Sequence, residues 1–149
     1  MGDVTWTRHS RLDKLDIKFD GTSSGDLTIQ QNWKDTYTVS LGGSYRYNDK
    51  WLWRAGLAYD PTPVPSDTYR HPALPDSDRT WLSFGAHYTI TPKHSLDFAY
   101  SYVFFNDANT NYKDGCSPVN DTCTGNGETT IGSFQTHMQF VGVQYNYRF

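Results

Sequence analysis

Three pairs of residues two apart, Arg79 and Trp81, Val103 and Phe105, Met138 and Phe140, hold the side chains best suited to bind a ligand. A spacing of two puts both members of a pair on one face of an extended strand. The set offers one guanidinium and five apolar groups, which is chemistry for an amphiphile. Burying each methylene gains about 0.8 kcal/mol, and an arginine holds a carboxylate head through a charge-assisted, bidentate contact. Asp76 and Asp78 stand beside Arg79 as rival partners, and the apolar group is equally suited to packing against another protein segment. Other residue types point to less chemistry. The five histidines (His9, His71, His87, His94, His137) show no metal-binding spacing, so no metal is expected. "DANTNYKDG" (Asp107–Gly115) alternates oxygen ligands but lacks the glycine and glutamate of a calcium loop. No G-x-S-x-G and no catalytic carboxylate pair occurs, so neither an enzyme nor a cofactor is expected. Cys116 and Cys123 in "CSPVNDTC" have no nearby histidine to complete a zinc set. A disulfide closing a short loop in an oxidising compartment is expected there.

The elements that must position these residues have a period of two. In "TWLSFGAHYTI" Leu82, Phe84, Ala86, Tyr88 and Ile90 alternate with Trp81, Ser83, Gly85, His87 and Thr89. A turn at "TPKH" leads to "SLDFAYSYVFF", where Leu96, Phe98, Tyr100, Tyr102 and Phe104 alternate with Asp97, Ala99, Ser101, Val103 and Phe105. "DTYTVSLGGSYRY", a tight turn at Asn48–Lys50 and "WLWRAGLAY" form a similar pair. A last strand runs from about Gly132 to Phe149, and a first from Val4 to Phe19. The first changes parity, which predicts a β-bulge between Arg8 and Leu15. Six strands result, all antiparallel. Their connections alternate between short (Asn48–Lys50, Thr91–His94) and long and polar (Asp20–Asn32, Pro61–Asp78, Asn106–Ile131).

Alternation alone also fits a soluble sandwich, so composition must decide. The 149 residues are 36% apolar and 16% aromatic, with 11 Tyr, 8 Phe, 5 Trp and 12 Gly. A sandwich core draws on Leu, Ile and Val. Here aromatics gather where strands meet the short turns: Tyr45, Tyr47, Trp51, Trp53, Tyr88, Tyr145 and Tyr147. Tyr and Trp favour the membrane–water boundary. The other face is rich in Ser, Thr, Gly and charge, as an aqueous lumen requires. Long loops on one side, short turns on the other and strands of about ten residues match a transmembrane β-barrel of the bacterial outer membrane. No run of 18 apolar residues exists for a membrane helix. The net charge of −3 gives no general attraction to nucleic acid. "MGDVTWTRHS" lacks the basic head and apolar stretch of an export signal, which is expected upstream or already removed.

Four stretches carry a family resemblance: "VTWTRHSRLDKLDI", "WKDTYTVSLGGSYRYNDKWLWRAGLAYDPTPVP", "LPDSDRTWLSFGAHYTIT" and the terminal "VGVQYNYRF". In order and content the chain resembles the FadL family of outer-membrane transporters for long-chain fatty acids and other hydrophobic compounds. The alternating aromatics ending on Phe149 also resemble the assembly signal of bacterial outer-membrane proteins. The family resemblance implies a fourteen-stranded barrel with an internal hatch and a lateral exit in its wall. Residues 1–149 match its C-terminal part only, without the hatch, so Met1 reads as an interior position of a longer protein or an engineered start. Six strands fall short of the ~8 that close a barrel, and open edges are not tolerated in hydrocarbon. Remaining strands from another segment or chain are therefore expected partners, beside outer-membrane lipid and a hydrophobic small molecule.

With the long loops outside the cell, inward residues sort by depth. Arg46, Arg54, His87, Asp97, Gln144, Asn146 and Arg148 lie near the periplasm. Trp81, Val103, Phe105, Met138 and Phe140 lie near the outside, headed by Arg79. A lumen that turns apolar outward suits a hydrophobic ligand better than a water-filled pore. The expected function is a passive channel binding its ligand in the outer half. The alternative is a structural or adhesive surface barrel, such as a phage receptor, acting through Pro61–Asp78 and Asn106–Ile131.

Overall fold

The computed structural model of the chain describes residues 1–20, 27–120, 122–123 and 126–149. Its strands are β1 (Gly2–Thr7), β2 (Lys14–Ile17), β3 (Leu27–Gln30), β4 (Thr36–Arg46), β5 (Trp51–Asp60), β6 (Arg79–Thr91), β7 (His94–Phe105), β8 (Ala108–Lys113), β9 (Thr129–Phe134) and β10 (His137–Tyr147). Six of them form one antiparallel wall in the order β1-β4-β5-β6-β7-β10. Two hairpins, β2-β3 and β8-β9, stand apart from it. Strand order in the wall follows chain order because each tight turn returns the chain beside the strand it has just left. At the β4–β5 turn Asn48 Oδ1 accepts the N–H groups of Lys50 and Trp51, both at 2.9 Å, so one side chain fixes the reversal.

Register assigns the faces. Tyr45 pairs with Trp53, Leu41 with Leu57, Leu57 with Leu82, Phe84 with Tyr100 and Phe98 with Val143. Directly paired residues share a face, so the apolar parities of all six strands form one continuous surface. It is bare: Phe84 is 51% exposed, Leu41 68% and Val141 78%. Ala86 and Val103 are the buried apolar residues of the wall among those described. An uncovered apolar sheet cannot rest against water, but it matches lipid tails. Aromatic rows bound it at both ends. Beside the short turns Trp51 lies flat against Trp53 (centroids 5.3 Å apart) and near Tyr88 (4.5 Å), with Tyr145 and Tyr147 further along. The second row, Trp6, Tyr37, Tyr59, Tyr102 and Phe104, is assembled by register, with Tyr102 and Phe104 in ring contact at 4.3 Å. From Trp51 to Tyr59 the strand covers about 26 Å at ~3.3 Å per residue, which at the ~40° tilt of such strands spans about 20 Å of the ~25 Å apolar band.

Two sequence expectations are corrected. The first strand does not bulge between Arg8 and Leu15; it ends. A 3-10 turn at His9–Arg11 redirects the chain, and Lys14–Ile17 pairs with Leu27–Gln30 outside the wall. The parity change between Trp6 and Leu15 records two strands in two sheets. Asp35 Oδ1 holds the turn by accepting the Ser10 N–H at 2.9 Å. The side-chain and backbone bonds from Ser10, with Arg8 and His9 nearby, hold the Asp35 carboxyl below its ordinary pKa. Its contribution is therefore present above the ordinary carboxylate pKa and is lost as pH falls through the lowered folded value. The Ser10 amide resonance should titrate with a midpoint below the usual carboxylate range, and Asp35→Asn should remove that titration.

The last strand begins at His137 rather than Gly132. Thr129–Phe134 instead pairs with Ala108–Lys113, so the long connection expected at Asn106–Ile131 contains one whole strand and the start of another, whose end, Gly132–Phe134, the sequence pattern assigns to the last strand. Together with residues 61–78 they build a cap over the outer end of the wall. Thr110 Oγ1 donates to Arg70 O at 2.6 Å, Asn111 N–H to Asp67 O at 3.0 Å and Ser77 Oγ to Asn106 O at 2.7 Å. Arg70 donates through Nε to Asp76 O at 2.8 Å and through Nη1 to Asn109 O. Val64, Ala108, Tyr112 and Cys116 form a small core, with Tyr112 only 5% exposed and its ring 4.7 Å from His71. Cys116 and Cys123 form the expected disulfide. Just before it Gly115 takes a φ of 62°, a left-handed turn that glycine adopts without steric cost.

Candidate functional site

All six residues singled out from sequence lie on the face opposite the lipid surface, at the cap end of β6, β7 and β10. Register seats Arg79 beside Phe105, Trp81 beside Val103 and Met138 on the far side of Val103. Phe140 is next to Ser101, and its ring stacks on Trp81 with centroids 5.8 Å and planes 13° apart. Val103, between its two neighbours, is fully covered. Met138 and Phe140 remain about half exposed. The result is a continuous apolar strip across three strands on the lumenal face. Beyond β6 it fades: Ala58 of β5 pairs with Trp81, but on β1, β4 and β5 the same face otherwise carries Gly56, Asp3, Thr5, Thr38, Ser40 and Asp60. The outward change from polar to apolar is therefore confined to one side of the lumen.

Arg79 closes the strip at its outer end, with its guanidinium carbon 5.9 Å above the Phe105 ring. Of the two expected rivals for it, one is a partner and the other is not. Asp76 Oδ1 lies 3.3 Å from Nη1. Asp78 instead accepts from Tyr59 OH at 2.9 Å and from the Thr62 N–H at 2.8 Å. The second ion pair is with Asp60, whose Oδ2 is 2.8 Å from Nη2. Sequence reasoning missed Asp60 because it is nineteen positions away. The antiparallel register of β5 and β6, which matches Asp60 to Arg79, was the available signal.

The half of the same face beside the short turns is polar. Asp97 is the centre: His87 Nδ1 lies 2.9 Å from Oδ1, Arg54 Nη1 3.5 Å from the same oxygen, and Asn146 Nδ2 donates to Oδ2 at 2.7 Å. Gln144 in turn donates to Asn146 at 2.6 Å. A hollow of about 520 Å³ runs along this surface between Arg54, Ser83, Asp97, Ser101 and Gln144. Thr89 Oγ1 is 3.3 Å from His87 Nε2, so Thr89, His87 and Asp97 form a chain like that of a nucleophilic triad. Thr89's own N–H is engaged by Lys50 O at 2.9 Å, which removes the donor nearest a reacting carbonyl. The chain serves as a hydrogen-bonded belt.

A hollow of about 700 Å³ lies on the lipid side. Gly43, Ala55 and Ala86 floor it, and Tyr45, Trp53, Phe84, Phe98, Tyr100 and Val141 wall it. None of the six residues of the lumenal strip lines it. Bilayer acyl chains fill such a depression, so its size does not mark it as the ligand site.

Comparison with known proteins agrees with this architecture. The family described as "Outer membrane protein transport protein (OMPP1/FadL/TodX)" matches residues 1–149. A protein of Neisseria meningitidis serogroup B, whose name assigns it to the outer membrane, is 39% identical over 99% of this chain and 32% of its own length. Outer membrane protein P1 of Haemophilus influenzae is 36% identical over 97% of this chain and 30% of its own. The long-chain fatty acid transport protein of Escherichia coli K12 is 40% identical over 55% of this chain and 19% of its own. The crystal structure of a Pseudomonas aeruginosa FadL homologue superimposes with a TM-score of 0.81 at 30% identity, covering 98% of this chain and 31% of that one. The chain thus spans about a third of the length of the relatives it matches most fully. An all-β wall with one lipid face, an aqueous face and this match along its whole length lead to one conclusion: the chain belongs to the OMPP1/FadL/TodX family of transport proteins in the bacterial outer membrane.

Proposed function

We propose that this chain is the C-terminal part of a channel for passive uptake of hydrophobic molecules, long-chain fatty acids among them, and that ligand binds in the outer half of the lumen. The observation that carries the reading is the Trp81–Phe140 stack over covered Val103. Apolar side chains on an aqueous wall are a cost unless something apolar meets them. Met138 and Phe140, half exposed there, are where a ligand chain would lie, with Phe105 and Arg79 at its outer end. The test is displacement of a fluorescent fatty-acid probe from the complete barrel. Phe105→Asp and Met138→Asp should each weaken binding by at least about tenfold, since each sets a charged, hydrated carboxylate where methylenes would be buried. Unchanged binding in both variants overturns the proposal.

A second reading, adhesion through the extracellular loops, is favoured by one observation. Residues 61–78 and the described residues of 106–134 form a hydrogen-bonded cap with its own core and disulfide, and so offer a fixed surface to a partner such as a phage. Adhesion would be lost on deleting the β8–β9 hairpin and indifferent to Met138→Asp.

A further inference from the structure

Arg79 is the cation of the apolar strip, and its charge is already matched by two carboxylates. Asp60 and Asp76 reach its two terminal nitrogens at 2.8 and 3.3 Å, and all three side chains are largely covered. Both acids are fixed in place: Asp60 accepts from Thr38 Oγ1 at 2.9 Å and Asp76 from Thr62 Oγ1 at 2.7 Å. Arg79 Nε is covered and has no acceptor among the described residues. Asp78, bonded to Tyr59 and Thr62, adds a third negative charge to this corner. Arg70, the neighbouring guanidinium, gives its donors to the carbonyl oxygens of Asp76 and Asn109. Three carboxylates therefore stand against two cations. An ionised head arriving beside Phe105 has to displace Asp60 or Asp76 and leave that acid partly buried among like charges. An uncharged head needs no such exchange.

We infer that Asp60 and Asp76 set the head-group specificity of the site: the strip of Trp81, Phe105 and Phe140 takes uncharged hydrophobic molecules, such as long-chain alcohols, esters or hydrocarbons, in preference to carboxylates. This rests on the strip being the binding surface. The experiment compares dodecanol with dodecanoate on the complete barrel at about pH 8, where a free carboxylic acid is ionised. Dodecanol should bind about tenfold more tightly. Asp60→Asn with Asp76→Asn should raise dodecanoate affinity about tenfold relative to dodecanol, because Arg79 is released. Asp76→Asn alone, which keeps the closer ion pair, should move dodecanoate part of the way if the double variant fails to assemble. Equal affinities in the unaltered protein, or no gain for dodecanoate in the variants, overturn the inference. Phe140→Asp separates the two levels. If it weakens both ligands while head-group charge makes no difference, only the specificity rule falls. If it weakens neither, the strip is not the site and both readings fall.

Discussion

Phe84→Arg should destabilise the barrel in lipid by at least about 2–4 kcal/mol, whereas Ser83→Arg, one residue earlier, should be tolerated. Phe84 is at mid-height of the central strand β6, between Ala55 and Tyr100 on the bare apolar face. A lipid-facing arginine near the bilayer midplane costs about 2–4 kcal/mol, and loss of the ring from hydrocarbon adds to that. Ser83 faces the lumen, where its hydroxyl lies 2.8 Å from that of Ser101. A guanidinium there loses one hydrogen bond but meets water, at a cost of about 0.5–1.5 kcal/mol. Denaturant unfolding of the complete barrel from lipid vesicles reads both values. Similar losses at the two positions would mean that the face assignment is wrong, and with it the lipid contact on which the architecture depends.

Tyr112→Ala should loosen the cap and leave the wall intact. The Tyr112 ring is the largest buried side chain of the cap, packed near His71 and flanked by buried Ala108 and Cys116. Removing a buried aromatic costs about 3–5 kcal/mol. The cap has few other apolar contacts to compensate, because Arg70, Asp67 and Ser77 join its segments by hydrogen bonds. In intact cells, protease cleavage after Lys113 should rise at least about tenfold, while the unfolding midpoint of the wall stays that of the unaltered barrel. If cleavage does not change, the segments are held by the disulfide and the wall rather than by this core.

The wall was legible because a strand's period of two is written locally. Every second residue of Leu82–Ile90 and of Leu96–Phe104 declares its face, and Asn48 and Pro92 mark the reversals. The strip from Trp81 to Phe140 followed from the same parity together with depth along the strand. Where contacts reach across the sequence, the reading stopped. Asp60 is matched to Arg79 by register, and no local pattern distinguishes it from Asp78. The β8–β9 hairpin escaped notice because "ANTNYK" and "TTIGSF" are polar and short. They are strands because Arg70, Asp67 and the covered Tyr112 hold them in place, not because their own residues favour it.

The amino-acid sequence by itself determined which solvent each face meets, since side-chain alternation and aromatic placement depend only on neighbours one or two residues away. Tertiary structure alone decided how the outer end is closed and that Asp60, rather than Asp78, joins Asp76 at Arg79. Those features arise where residues 60 and 79, and 70 and 109, far apart along the chain, come within a few ångströms, and such proximity is a property of pairing rather than of composition.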